Sequence, residues 1–324
     1  MNPSALAIVL AALCAGVMGY AIQRGATCTV AAVDELIMKR RPARLIAMLE
    51  ASLWVAGGLA LASVAGLSAA VPAAYPVTPW LFAGAALLGF GAAVNRACVF
   101  GAVARFGAGD WNYAATPLGY FAGCVSVQPL FSAPAAQVVS SVSPVLAAAG
   151  WVALAFAVYA ASRVLPPLLR SARGGIVVQR LWTPHAATAV IGVTFVVILL
   201  SVGVWAYTDV LAQLAHGMSM RVALGVLCLL ALFAGAWLGG RGAPRVPPSP
   251  PALLRCFAGG VLMAWGSLLI PGSNDGLILV GLPLLRPYAW LAFATMCATI
   301  ALARWGALRS SHFGHARGRS SSAS

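Results

Sequence analysis

GFGAAVNRACVFG, residues 89–101, and AWGSLLIPGSNDG, residues 264–276, are two apolar stretches that interrupt themselves. Each runs from small and apolar residues into Asn, Arg, Pro or Asp and closes on glycine. A shift of 175 residues lays AGAALLGFGAAVNRACVFG (83–101) on AGGVLMAWGSLLIPGSNDG (258–276). Ala83, Gly84, Leu87, Gly91 and Gly101 then meet Ala258, Gly259, Leu262, Gly266 and Gly276 identically, Phe90 meets Trp265, and Cys98 meets Ser273. Broken apolar segments in corresponding positions of two halves point to a transport site near the middle of a bilayer.

The rest of the chain supplies that bilayer context. Of 324 residues, 61% are hydrophobic and 8% charged, where a soluble domain carries about 25% charged residues. Long runs almost free of charge recur from end to end, which predicts an all-α polytopic membrane protein without a large soluble domain. The net charge of +14 would suggest nucleic acid as the partner of a soluble protein. Here Lys and Arg sit mostly in short connections between apolar runs, so they report orientation and not a nucleic-acid partner.

Pro3 to Met38 exceeds the roughly 20 residues that one crossing needs and is broken at Gln23, Arg24 and Gly25, so it reads as a helix, a break and a shorter helix. KRRPAR (39–44) follows, on the cytoplasmic side by the charge rule. Further crossings are predicted over 45–71, 80–105 (broken at Asn95 and Arg96), 111–130, 144–164, 183–207, 220–238, 256–285 (interrupted) and 288–308. That gives about nine transmembrane helices plus short broken or re-entrant ones, with the N-terminus periplasmic and the C-terminus cytoplasmic in a bacterial inner membrane. Residues 1–308 form one transporter domain, with pseudo-repeat halves near 1–145 and 175–308. The basic, Ser-rich stretch 309–324 reads as a disordered cytoplasmic tail. By the charge rule the two copies of the broken segment enter from opposite sides, so the repeat is inverted. A leader or lipoprotein reading of the stretch around Cys14 is set aside, because no Lys or Arg precedes it and Leu13 stands where a small residue belongs.

Broken backbone survives at membrane depth only where it is buried in protein or lines a cavity. A half-helix beginning there turns unpaired N–H groups and partial positive charge towards the cavity, which suits an anion. Arg24 and Arg96 add full charge near two breaks, and an ionisable group at that depth is functional by default; the plainer alternative is that each snorkels to the surface or pairs with a carbonyl. Gly25, Gly91, Gly101, Gly266, Gly272 and Gly276 permit the breaks and close backbone approach. The seven cysteines are scattered singly without a CxxC pair, so they make no disulfide framework, and most are packing residues. Cys28, after QRGAT, and Cys98, after NRA, stand apart: each sits just beyond an interruption with an arginine close by. No metal or cofactor site is expected.

QRGATC (23–28), GFGAAVNRACVFG (89–101) and GGVLMAWGSLLIPGSNDG (259–276) resemble the motifs of the YeeE/YedE family of inner-membrane thiosulfate and sulfur-compound transporters. The resemblance spans most of the chain. It implies an hourglass of transmembrane and short helices with inverted halves, in which three cysteines at the waist pass thiosulfate inward by transient S–H···S hydrogen bonds. Cys28 and Cys98 match two of the three. The third departs: GSNDG places Ser273 at the cysteine position, with Asn274 and Asp275 beside it. A hydroxyl is a stronger donor than a thiol but less polarisable, so a different oxyanion or a thiol-bearing substrate stays open. Asp275 either opposes an anion, faces Arg96 or caps a half-helix.

The leading expectation is therefore uptake of a small sulfur-containing anion, thiosulfate first, along a path of Cys28, Cys98, Ser273, Asn274, Arg24, Arg96, Gln23 and Asn95. No GxxxxGK[ST] stretch supplies an ATPase. A soluble cytoplasmic sulfur carrier protein is a partner the resemblance suggests. The alternative is an enzyme, a membrane thiol oxidoreductase or sulfurtransferase with Cys28 or Cys98 as nucleophile. Against it, the four histidines, His185, His216, His312 and His315, all lie near loops or in the tail. A third reading, a subunit that holds a partner through the tail or loop 239–255, leaves the broken repeats unexplained.

Overall fold

The computed structural model of the protein describes residues 4–67, 74–130, 142–172, 182–217, 220–270 and 274–320. Three long apolar helices are each followed, after a short break, by a shorter helix: α1 (Ala5–Arg24) by α2 (Thr29–Lys39), α4 (Pro79–Asn95) by α5 (Val99–Gly107), and α9 (Pro184–Val202) by α10 (Tyr207–His216). A fourth, α12 (Pro250–Leu269), is followed by a single turn α13 (Asn274–Gly276) and a π-helical turn (Leu277–Gly281). The remaining helices are α3 (Ala43–Val64), α6 (Ala115–Leu130, entered through a 3-10 turn Trp111–Ala114), α7 (Pro144–Ala147), α8 (Ala149–Ala172), α11 (Met220–Gly239) and α14 (Pro287–Ser320). Among the described residues, 8 helical stretches are long and apolar enough to cross a membrane. The about nine expected from sequence included 111–130, which appears as α6, a helix of 16 residues, about 24 Å long at 1.5 Å per residue.

The first two breaks share one backbone device. Ala26 and Arg96 take the left-handed conformation, at φ 46° and φ 60°. The Ala26 N–H reaches the Gln23 carbonyl and the Thr27 N–H reaches that of Ile22; the Arg96 and Ala97 N–H groups reach the carbonyls of Ala93 and Ala92, all at 3.1 Å. This is the Schellman helix stop, which normally uses glycine at the left-handed position. An L-residue there costs roughly 1–2 kcal/mol. In both cases the chain leaves the stop in two residues and starts a new helix with a cysteine as its N-cap, Cys28 for α2 and Cys98 for α5.

Two sequence expectations change here. The run 183–207 was read as one crossing, but α9 stops at Gly203, at φ 95°, and Ala206 caps the separate helix α10. Nothing polar marks that stop; Gly203 and the extended residues after it are the whole signal. The stretch from Arg309 was expected to be disordered, whereas α14 runs on as helix to Ser320. No proline follows Pro287 to stop it, although residues 309–320, with two glycines, three serines and one alanine, have little helix propensity of their own.

The element order repeats. Exchanging α1 with α9, α2 with α10, α3 with α11, α4 with α12, α5 with α13 and its π turn, and α6 with α14 maps several of the main helix contacts onto one another. The α1–α11 contact becomes α9–α3, α12–α6 becomes α4–α14, α10–α6 becomes α2–α14, and α5–α11 becomes the π turn against α3. The pairs α1–α9 and α4–α12 map onto themselves. α4 and α12 run antiparallel, with Gly84 beside Leu269 and Gly91 beside Met263. A Cβ on Gly91 would lie 2.7 Å from the Met263 nitrogen, and one on Gly266 2.4 Å from that of Leu88. These two glycines therefore serve the helix crossing, a turn or more before the breaks. α8 lies between the two sets of six and packs on α3. A buried carboxylate, Glu50 on α3, ties it there: Glu50 accepts from Arg163 of α8 at 2.7 Å, from Tyr159 and from His185 at the start of α9.

Candidate functional site

The two Schellman stops bring their cysteines together. Cys28 and Cys98 are 70 residues apart in sequence, yet their Sγ atoms lie 3.9 Å apart, within hydrogen-bonding distance for sulfur. The Thr29 N–H, in the first turn of α2, donates to Cys98 Sγ at 3.1 Å. Each helix start thus presents its thiol to the other, and the partial positive end of α2 faces the Cys98 sulfur. Both side chains are buried, Cys28 at 7% exposure and Cys98 at 1%. Gly101 makes the pairing possible, because a Cβ there would stand 2.4 Å from Cys28 Sγ. All seven cysteines are free thiols.

α13 packs against α5, so the GSNDG stretch reaches the same region. Asp275 is 2% exposed and turns to α10. It accepts from the Thr208 hydroxyl at 2.6 Å and stands 3.5 Å from the Thr208 backbone nitrogen, in the first turn of that helix. Its own next residue, Gly276, also donates to it at 3.1 Å. Of the roles open to Asp275 from sequence, the structure selects capping, but of α10, a helix 67 residues away. The neighbouring Tyr207 hydroxyl donates to the Val99 carbonyl at 2.9 Å, next to Cys98. Three short-helix N-termini, of α2, α5 and α10, therefore meet near one point. Two carry thiols and one is filled by a carboxylate.

Comparison with known families closes the assignment. A family model described as sulphur transport matches residues 24–302. The chain belongs to the sulphur transport family. No curated protein matches its sequence. Membership makes this a membrane protein that carries a sulfur compound, as the YeeE/YedE resemblance implied.

Within this sulphur transport protein the other expected site residues fall in three groups. Asn95 is fully buried and holds the break itself: its amide donates to the Ala97 carbonyl at 2.8 Å, it accepts from the Thr116 hydroxyl at 3.1 Å, and its carbonyl accepts from Tyr113. It positions Cys98. Arg24 and Gln23 lie one turn before Cys28 along α1. The Arg24 guanidinium stacks over the Tyr20 ring and donates to its hydroxyl, Tyr20 in turn meets Trp182 edge-on, and Gln23 packs against Gly107 and Gly239. Arg96 is exposed, and its backbone conformation is its visible contribution to the site. Gly25 abuts Ala187, where a Cβ would lie 2.3 Å from that methyl, while Gly276 has open space around it. Gly272, Ser273 and the side chain of Asn274 lie outside the described residues.

Sequence reasoning missed Thr208, Tyr207 and Gly203, since they become part of the site only when α10 separates from α9. It also passed over Thr27, which immediately precedes a motif cysteine. Among the described residues no cluster of histidine, cysteine or carboxylate side chains could hold a metal ion.

Proposed function

We propose that the protein moves thiosulfate inward across a bacterial inner membrane, handing it between sulfur and hydroxyl donors at a central constriction. The observation that carries this reading is the Cys28–Cys98 pair, buried, 3.9 Å apart and seated at two helix N-termini. An anion with a terminal sulfur suits such a place. Helix ends favour its charge, and thiols offer weak, successive hydrogen bonds that release it as readily as they take it, as conduction requires. Ser273, next along the chain from the capping turn, is the third donor of the path. The closed packing around both thiols fits a resting state with the path shut at its waist.

The halves 1–145 and 175–308 form an inverted pair in this reading, supported by the exchange of packing partners between the two sets of helices. The N-terminus faces the periplasm and the C-terminus the cytoplasm, in line with the basic connections at 39–44, 163–180 and 239–255. A soluble sulfur carrier protein receives the product on the inner side. The test is uptake of labelled thiosulfate by cells that lack their other sulfate and thiosulfate importers. Wild-type uptake that collapses in Cys28→Ala and Cys98→Ala at equal membrane expression supports the relay, and Ser273→Ala ranks the third donor. Absence of wild-type uptake rejects thiosulfate as substrate. A stable persulfide on either cysteine during turnover would instead make the protein a sulfurtransferase.

A further inference from the structure

A small recess opens beside the cysteine pair, on the side of the basic connection 39–44. Its walls include Ala26, Thr27 and Cys28 from the first break, Arg44 and Met48 from α3, and Pro184 from the start of α9. In this closed packing the recess is tight, with a cavity of about 10 Å³, room for one water, so a larger group enters only when its walls part. Thr188 lines it beside Thr27 and Arg44, none of the three assigned a role from sequence, and Thr188 donates to the Pro184 and His185 carbonyls. Thr27 is 7% exposed, and its hydroxyl oxygen is buried without a hydrogen-bond partner. Buried hydroxyls are ordinarily satisfied, so an orphan at a binding wall calls for an explanation. Arg44 engages Glu35 of α2 through Nε at 2.9 Å. A guanidinium carries five N–H donors, more than one contact at Nε consumes.

We propose that Thr27 and Arg44 form an inner oxyanion subsite that receives the substrate directly after Cys28, and that Glu35 holds Arg44 in its absence. This deepens the transport reading above and rests on it. The chemistry is that of a sulfonate-like group: the Thr27 hydroxyl donates one hydrogen bond and the Arg44 guanidinium gives charge and further N–H groups. Thiosulfate has a sulfur end for the thiols and an oxygen end for this pair. Glu35 is the competing anion. When substrate oxygens reach Arg44, the carboxylate gives up its place, and it reclaims Arg44 when the substrate leaves. Without that exchange the guanidinium would retain a dianion too well for release.

The orphan hydroxyl makes the proposal unusually easy to test. Thr27→Val keeps the shape and removes a group with no bond to lose, so the thermal midpoint of the purified protein should stay put. Uptake of labelled thiosulfate into proteoliposomes should nevertheless fall about tenfold, as expected for the loss of one charge-assisted hydrogen bond, and Thr27→Ser should retain it. Arg44→Ala should fall further than Arg44→Lys. Glu35→Gln should slow release and lower the half-saturating concentration. Wild-type uptake in Thr27→Val overturns the subsite and leaves Thr27 holding a structural water only. Should the wild-type protein carry no thiosulfate, the transport reading fails separately. Thermal stabilisation by thiosulfate or sulfate then decides the subsite: a shift lost in Thr27→Val supports it, and no shift in wild type overturns it.

Discussion

The first and second halves of the molecule use the same backbone for different chemistry. α1 breaks into α2 and α4 into α5, and each new helix begins with a thiol. α9 breaks into α10 behind Ala206, which carries no polar side chain, and the free end of α10 is taken by Asp275 from the turn after α12. The main helix contacts of the two halves correspond, yet the first half begins its short helices with thiols that face each other. The second half neutralises the end of its own short helix. In the proposed inverted pair, the matching helices differ in side chains: one half carries the two thiols and the other the Asp275 carboxyl. On the path proposed above, a dianion would meet two helix ends able to attract it and a third already satisfied.

The largest effect that could break this contrast is at the thiols. Cys98→Ala should reduce sulfur-anion uptake to background while costing about 1 kcal/mol of stability, the net worth of one hydrogen bond; a folded variant that still transports would remove the thiol pair from the mechanism. Gly101→Ala comes next. Its new methyl, 2.4 Å from Cys28 Sγ in the present packing, must push α2 and α5 apart at about 1–3 kcal/mol, and uptake should fall even though both thiols remain. A Gly101→Ala variant indistinguishable from wild type in thermal midpoint and uptake would mean that the pair is loosely held.

In the second half, Asp275→Ala uncaps α10 and removes the carboxyl that accepts from the Thr208 hydroxyl, which should cost about 2 kcal/mol, with Asp275→Asn costing about half as much. Added small anions should raise the thermal midpoint of Asp275→Ala by more than that of wild type, because the emptied helix end becomes an additional anion site. The smallest effect is expected at Arg96. Arg96→Gly preserves the left-handed stop at φ 60° and relieves about 1 kcal/mol of backbone strain, so a thermal midpoint slightly above wild type is expected. Any drop in uptake by that variant measures the charge alone.

Much of this architecture could be read from the sequence because lipid makes it visible. Apolar length marks the crossings, and residues such as Arg96, Asn95 and Gly25 are conspicuous inside them. The cysteine pair was legible because two thiols stood in parallel settings. The break before α10 was not, since Gly203 in an uncharged run carries little signal. Asp275 defines its role through Thr208, a contact 67 residues distant that no local pattern encodes. Arg24 and Arg96 looked alike in sequence. One stacks on Tyr20 and the other is exposed, and only the packing of neighbouring helices separates them.

The single helix α8 between the two sets of six has a consequence for biogenesis. In the proposed topology this one extra crossing turns the second set upside down, and without it α12 would run parallel to α4 instead of antiparallel. The ribosome, in that topology, delivers two matched hairpin sets in opposite senses from one message, and the basic residues around 163–180 would be the instruction that sets the second sense. Glu50 then fastens α8 to α3 and α9, so the helix that reverses the second half also clamps it to the first.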